Sequence, residues 1–99
     1  MKLIKPLVVL DLETTGVWIE KDRIIEIGMV RLTPDGKQEI YSTKVNPGMP
    51  IPAVVTELTG ISDAHVKGAP AFGSVAPQVL AFLEGSDLGG FNLERPGGW

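Results

Sequence analysis

Along the first half of the chain the hydrophobic positions come in short runs and alternations, the pattern of strands. Pro6-Leu-Val-Val-Leu10 is an aliphatic run closed by Asp11. A run apolar on both faces predicts a central strand of a covered sheet. Thr14-Thr15-Gly16 ends that strand, and Trp18 to Asp22 reads as a loop. From Arg23 to Leu32, the residues Ile24, Ile25, Ile27, Met29, Val30 and Leu32 enclose Glu26 and Arg31, which predicts a second strand. Pro34-Asp35-Gly36-Lys37 has turn chemistry, with Pro to set φ and Gly for a positive-φ position. Glu39 to Val45 follows as a third strand, so the second and third should form an antiparallel hairpin.

The period changes after this point. Asn46 to Pro52 holds three prolines and a glycine, the composition of an irregular connection. Ala53 to Leu58 is expected to form a short helix stopped by Gly60. From Phe72 the apolar residues Val75, Ala76, Val79, Leu80, Phe82 and Leu83 recur at helical spacing, with Gly85 as the stop. Pro77 is harmless only in a first turn, which moves the expected start of this helix to about Ser74. Asp87 to Phe91 reads as a last strand. The order β-β-β-α-α-β predicts an α/β domain with a mixed sheet, and a core of Leu10, Ile25, Ile27, Val79 and Phe82.

Composition narrows the class. Ninety-nine residues and 10.6 kDa fit one domain. Without Cys there is no disulfide scaffold, thiolate metal site or cysteine nucleophile. The apolar run at the N-terminus is far too short to cross a bilayer, and a secretory signal pattern is lacking, so a cytoplasmic protein with no membrane partner is the expectation. Nine Lys and Arg against twelve Asp and Glu give a net charge of −3. That balance counts against broad phosphate binding through a basic face. It leaves open a nucleic acid held through metal ions, since carboxylates that ligate cations make a site acidic.

The candidate chemistry lies where the first strand ends. Asp11 and Glu13 are two residues apart on a strand, so their carboxylates point to one face. Two acids this close repel unless a cation sits between them, and oxygen-only ligation selects Mg²⁺ or Mn²⁺ over Zn²⁺. An isolated D-x-E also arises as a solvated strand end. The surroundings decide between the two. Val9-Leu10-Asp11-Leu12-Glu13-Thr14-Thr15-Gly16 resembles the first motif of the DEDD (DnaQ-like) 3′–5′ exonucleases. Asp22 to Gly28, Val45-Asn46-Pro47-Gly48, Ile51-Pro52, Leu58 to Asp63 and Gly90-Phe91-Asn92 continue the resemblance in order.

The resemblance implies an RNase H-like fold, here three antiparallel strands, a helix and a fourth strand that begins a parallel half. It implies a partial exonuclease domain over residues 1–95, followed by a non-family tail at 96–99. Asp11 and Glu13 would be the catalytic residues, binding metal in a site that holds two ions when complete. Thr14, Thr15, Gly16 and Asn92 would support the terminal nucleotide; Trp18 fits either stacking on its base or packing, partly exposed, on the hairpin. The implied partners are a single-stranded DNA or RNA 3′ end and a DNA polymerase. An unpaired sheet edge adds the expectation of a homodimer.

The pattern also departs from the family. The metal-binding Asp expected behind a Phe after Asn92 is missing, because Leu93-Glu94-Arg95 runs into Pro96-Gly97. The third motif, with its His and last Asp, has no counterpart. His65, the single histidine, reads as a helix-start or loop residue, and Glu26 as a solvent-side or hydrogen-bonding carboxylate. The 99-residue chain is therefore expected to be incomplete as an enzyme. The alternative is a catalytically dead binding or structural module of the same fold.

Overall fold

The computed structural model describes residues 4–16 and 22–94, with the backbone alone at 91–94. The strands are β1 (Leu7–Thr14), β2 (Ile24–Leu32), β3 (Gln38–Lys44) and β4 (Asp87–Glu94). The helices α1 (Ala53–Thr59), α2 (Asp63–Val66) and α3 (Phe72–Leu83) lie between β3 and β4. The sheet order is β3-β2-β1-β4. β1 pairs antiparallel with β2, β2 antiparallel with β3, and β4 parallel with β1. The expected mixed α/β sheet, with its hairpin and the start of a parallel half, is therefore present.

Pleating divides β1 and β2 cleanly. Val8, Ile25, Ile27 and Met29 are buried on one face, with Leu10 and Leu12 half-buried beside them. Helix α3 covers part of this face through Val75, Val79, Phe82 and Leu83. A second cluster seats Ile25 against Ile51, Val55, Ile61 and Val66, from the connection, α1 and α2. Of the expected core, Ile25 and Ile27 are fully buried, whereas Leu10, Val79 and Phe82 are partly buried and packed against it.

Three expectations need correction. β1 is central, but among the described residues its second face is not covered: Val9 is 38% exposed, and Ile40 in the same cross-sheet row is 71% exposed. A third short helix, α2, forms between the two expected ones. Helix α3 starts at Phe72, which leaves Pro77 inside it. The start is fixed from outside the helix. Asn46 N–H donates to Pro70 O at 2.9 Å, and Asn46 bridges Ala71 in parallel, tying the residues before α3 to the end of the hairpin. Pro77 then stands past the first turn, where it cannot supply the N–H that would reach Gly73 O. Gly60 ends α1 at φ 77°, its N–H returning to Thr56 O.

Arg31 joins the hairpin to α3. Its Nε donates to Glu39 Oε1 at 2.7 Å, one terminal nitrogen donates to Phe82 O at 3.0 Å, and the guanidinium lies over the Phe82 ring, 4.6 Å from its centroid. The Arg31 bond holds the Glu39 carboxyl below its ordinary range. This contribution is present at neutral pH and fades as pH falls through the lowered value. Solvent screening keeps it small.

Candidate functional site

On the second face of the sheet, cross-strand register assembles rows of side chains. One row contains Glu13, Glu26 and Lys44, and the next contains Asp11, Gly28 and Ser42. On β4 the positions in register with Glu13 and Asp11 are Glu94 and Asn92. Beyond these come Val9, Val30 and Ile40. One end of the face is thus polar and acidic, and the other apolar. The polar end is where β1 carries Asp11 and Glu13.

Asp11 is exposed and Glu13 is half-buried. Both face the same way, as the spacing on β1 predicts. Gly28 lies opposite Asp11, and a Cβ built there would meet only the Asp11 Cβ, at 4.0 Å. The glycine leaves open space beside the carboxylate, on the face where a cation or substrate oxygen would approach. Two carboxylates with water access suit a hard, oxygen-seeking ion such as Mg²⁺ or Mn²⁺, whose remaining ligands come from water and substrate. Among the described residues no three His, Asp or Glu side chains lie close enough to hold an ion together. The pair therefore fits one weakly held ion and, within the described side chains, not a complete two-ion site.

Thr14-Thr15-Gly16 forms the turn immediately after the acidic pair. Thr15 is buried at 1% exposure, and its hydroxyl is the hub. It donates to Asp22 Oδ1 at 2.9 Å and accepts the Arg23 N–H at 2.9 Å, while the Thr15 N–H donates to Arg23 O at 2.8 Å. Thr14 Oγ1 donates to Gly16 O at 2.7 Å. Gly16 lies so close to Asp22 that a Cβ would come within 2.5 Å of its carboxylate. The backbone that follows Glu13 is therefore fastened to the start of β2. Replacing Thr15 by Val keeps the shape but strands the Arg23 N–H without its acceptor. We expect Thr15→Val to cost about 2 kcal/mol of stability in a urea titration. An unchanged midpoint would show that the clasp holds nothing.

The other candidates separate. The Ser62 N–H donates to His65 Nδ1 at 2.9 Å, so the histidine caps the start of α2 and does not join the acidic pair. Glu26 accepts from Lys44 Nζ at 2.6 Å, an ion pair that strand-by-strand reading did not show because the partners are eighteen residues apart. Trp18 and the 96–99 tail lie outside the described residues, and Asn92 is placed by its backbone alone.

Residues 8–93 match the RNase T exonuclease family. The chain is 43% identical over 81 residues to the PolC-type DNA polymerase III of Caldanaerobacter subterraneus subsp. tengcongensis, covering 82% of this chain and 6% of that one. It is 38% identical over 88 residues to the DNA polymerase III subunit epsilon of Aquifex aeolicus, covering 89% of this chain and 44% of the relative. The nuclease domain of 3′hExo, a DEDDh family member bound to rAMP, superposes with a TM-score of 0.70 at 20% identity, over 94% of this chain and 52% of that one. The chain thus spans less than half the length of the curated relatives named here.

Proposed function

The chain belongs to the RNase T (DEDDh, DnaQ-like) family of 3′–5′ exonucleases, and from that premise we propose that it supplies the first metal-binding pair of a nuclease acting on a nucleic-acid 3′ end. The observation that carries the proposal is the placement of Asp11 and Glu13. They lie on one face of β1, beside the space left by Gly28, within the stretch that matches the family. The family uses divalent metals. When bound, such ions lower the pKa of a water and stabilise the leaving oxygen of a phosphodiester.

In this reading Asp11 and Glu13 bind and orient the cation. The Thr14-Thr15-Gly16 turn, clasped through Thr15 and Asp22, presents fixed backbone groups to the terminal nucleotide. Trp18 and Asn92 belong to the same nucleotide-binding role. A polymerase partner is proposed from the epsilon and PolC relatives, and a homodimer from the sheet edges at β3 and β4, which pair with no further strand among the described residues.

Within these 99 residues the second-motif Asp and the third-motif His and Asp have no counterpart. Hydrolysis needs metal ligation and a group that takes a proton from the attacking water. We therefore expect the 99-residue chain with Mn²⁺ to leave a 5′-labelled single-stranded oligonucleotide at full length. A longer chain carrying the rest of the domain should shorten it stepwise from the 3′ end. Inactivity of that longer chain would favour the binding-module alternative. Stepwise shortening by the short chain, lost in Asp11→Ala, would show that other residues complete the site.

A further inference from the structure

Directly across from Glu13, on the same sheet face, stands a third carboxylate. Glu13 and Glu26 are register partners on antiparallel strands, and such partners bring their Cβ atoms within about 4.5–5.5 Å. Like charges so placed repel, and a cation held at Glu13 would draw Glu26 in as a further ligand. The structure nevertheless forms no three-carboxylate group among the described residues. A counter-charge for Glu26 stands one strand further on. Lys44 is the register partner of Glu26 on β3, and its Nζ sits 2.6 Å from Glu26 Oε2. The pair is partly shielded, with Lys44 41% and Glu26 30% exposed.

Resting on the metal-binding reading of Asp11 and Glu13, we propose that Lys44 is a positioning residue for the cation site: its ion pair keeps the Glu26 carboxylate on the β3 side and out of the ligand set. The consequence is chemical. A cation held by two carboxylates keeps coordination positions for water and for a phosphate oxygen. A third carboxylate would bind the ion more tightly while filling a position the substrate needs. Weak binding is, on this view, a property that the Glu26–Lys44 pair maintains.

The test is Mn²⁺ titration of the 99-residue chain, followed by calorimetry and by water-proton relaxation, which reports the waters left on the ion. Lys44→Met should bind Mn²⁺ about tenfold more tightly than wild type, since a nearby carboxylate loses its counter-charge. It should also show fewer coordinated waters. Lys44→Met with Glu26→Gln should return both readouts to wild type, and Lys44→Arg should resemble wild type throughout. Circular dichroism confirms that each variant folds.

Unchanged or weaker binding in Lys44→Met would overturn the proposal. So would tighter binding with unchanged hydration, because Lys44 would then act through the field alone. Tightening that persists in the double variant would show that Glu26 is not the group Lys44 restrains. If wild type and Asp11→Ala titrate alike, the cation site itself fails, a result that identifies the underlying reading as the one at fault.

Discussion

In a longer chain that carries the remainder of the domain, Asp11→Ala is expected to lower kcat/KM on a single-stranded oligonucleotide by at least about a thousandfold, equivalent to roughly 4 kcal/mol of transition-state stabilisation. The expectation follows from position. Asp11 is the exposed member of the pair and the one bordered by the Gly28 gap, so its loss removes the ligand nearest the open space. Glu13→Ala should fall in the same range, and the double variant should be little worse than either alone, because groups that hold one cation act as a unit. The loss should appear mainly in kcat. On the proposed reading the 14–16 backbone contacts the oligonucleotide independently of both carboxylates, so KM should move much less. A large rise in KM with kcat intact would reassign Asp11 to substrate binding.

The second large effect concerns the frame that holds the pair. Ile27 is 1% exposed and pairs in register with Leu12, the residue between Asp11 and Glu13. It belongs to the cluster in which Val8, Met29, Val45 and Val75 join the sheet to α3. Ile27→Ala removes buried methyl groups where four elements meet, and should cost about 3–4 kcal/mol. That is a large share of the roughly 5–15 kcal/mol typical of a whole domain. Guanidinium unfolding would show the midpoint falling sharply with little change in slope. A loss below about 1 kcal/mol would mean that the cluster relaxes around the gap, and that β2 is not the support inferred for the acidic pair.

The sequence makes the strands and the acidic pair legible because both depend on a period of two. Asp11 and Glu13 share a face wherever β1 pairs, so their convergence needs no knowledge of the fold. The order of the elements carried the mixed sheet and the resemblance carried the family, and both are borne out. Features that depend on register were not legible. That Gly28 opens space beside Asp11, that Glu26 faces Glu13, and that Lys44 restrains Glu26 all require knowing which residues meet across the strands. The Thr15–Asp22 clasp was hidden for the same reason, since Asp22 reads as the end of the loop from Trp18.

The errors have physical causes as well. The proline rule alone puts the start of α3 at Ser74, whereas the anchor that Asn46 provides for Pro70 and Ala71 accompanies a start at Phe72. The aliphatic run of β1 promised cover on both faces, yet the described helices cover only one. Phe82 is expected in the core and does pack against it. It is half-buried, sharing its ring with Tyr41 and the Arg31 guanidinium.

The central claim is that the β1 carboxylates form a divalent-cation site, and a calorimetric Mn²⁺ titration of the purified chain tests it most directly. The account predicts weak but measurable binding by wild type that disappears in Asp11→Ala, with both proteins equally folded. Equal titration heats for the two would contradict it.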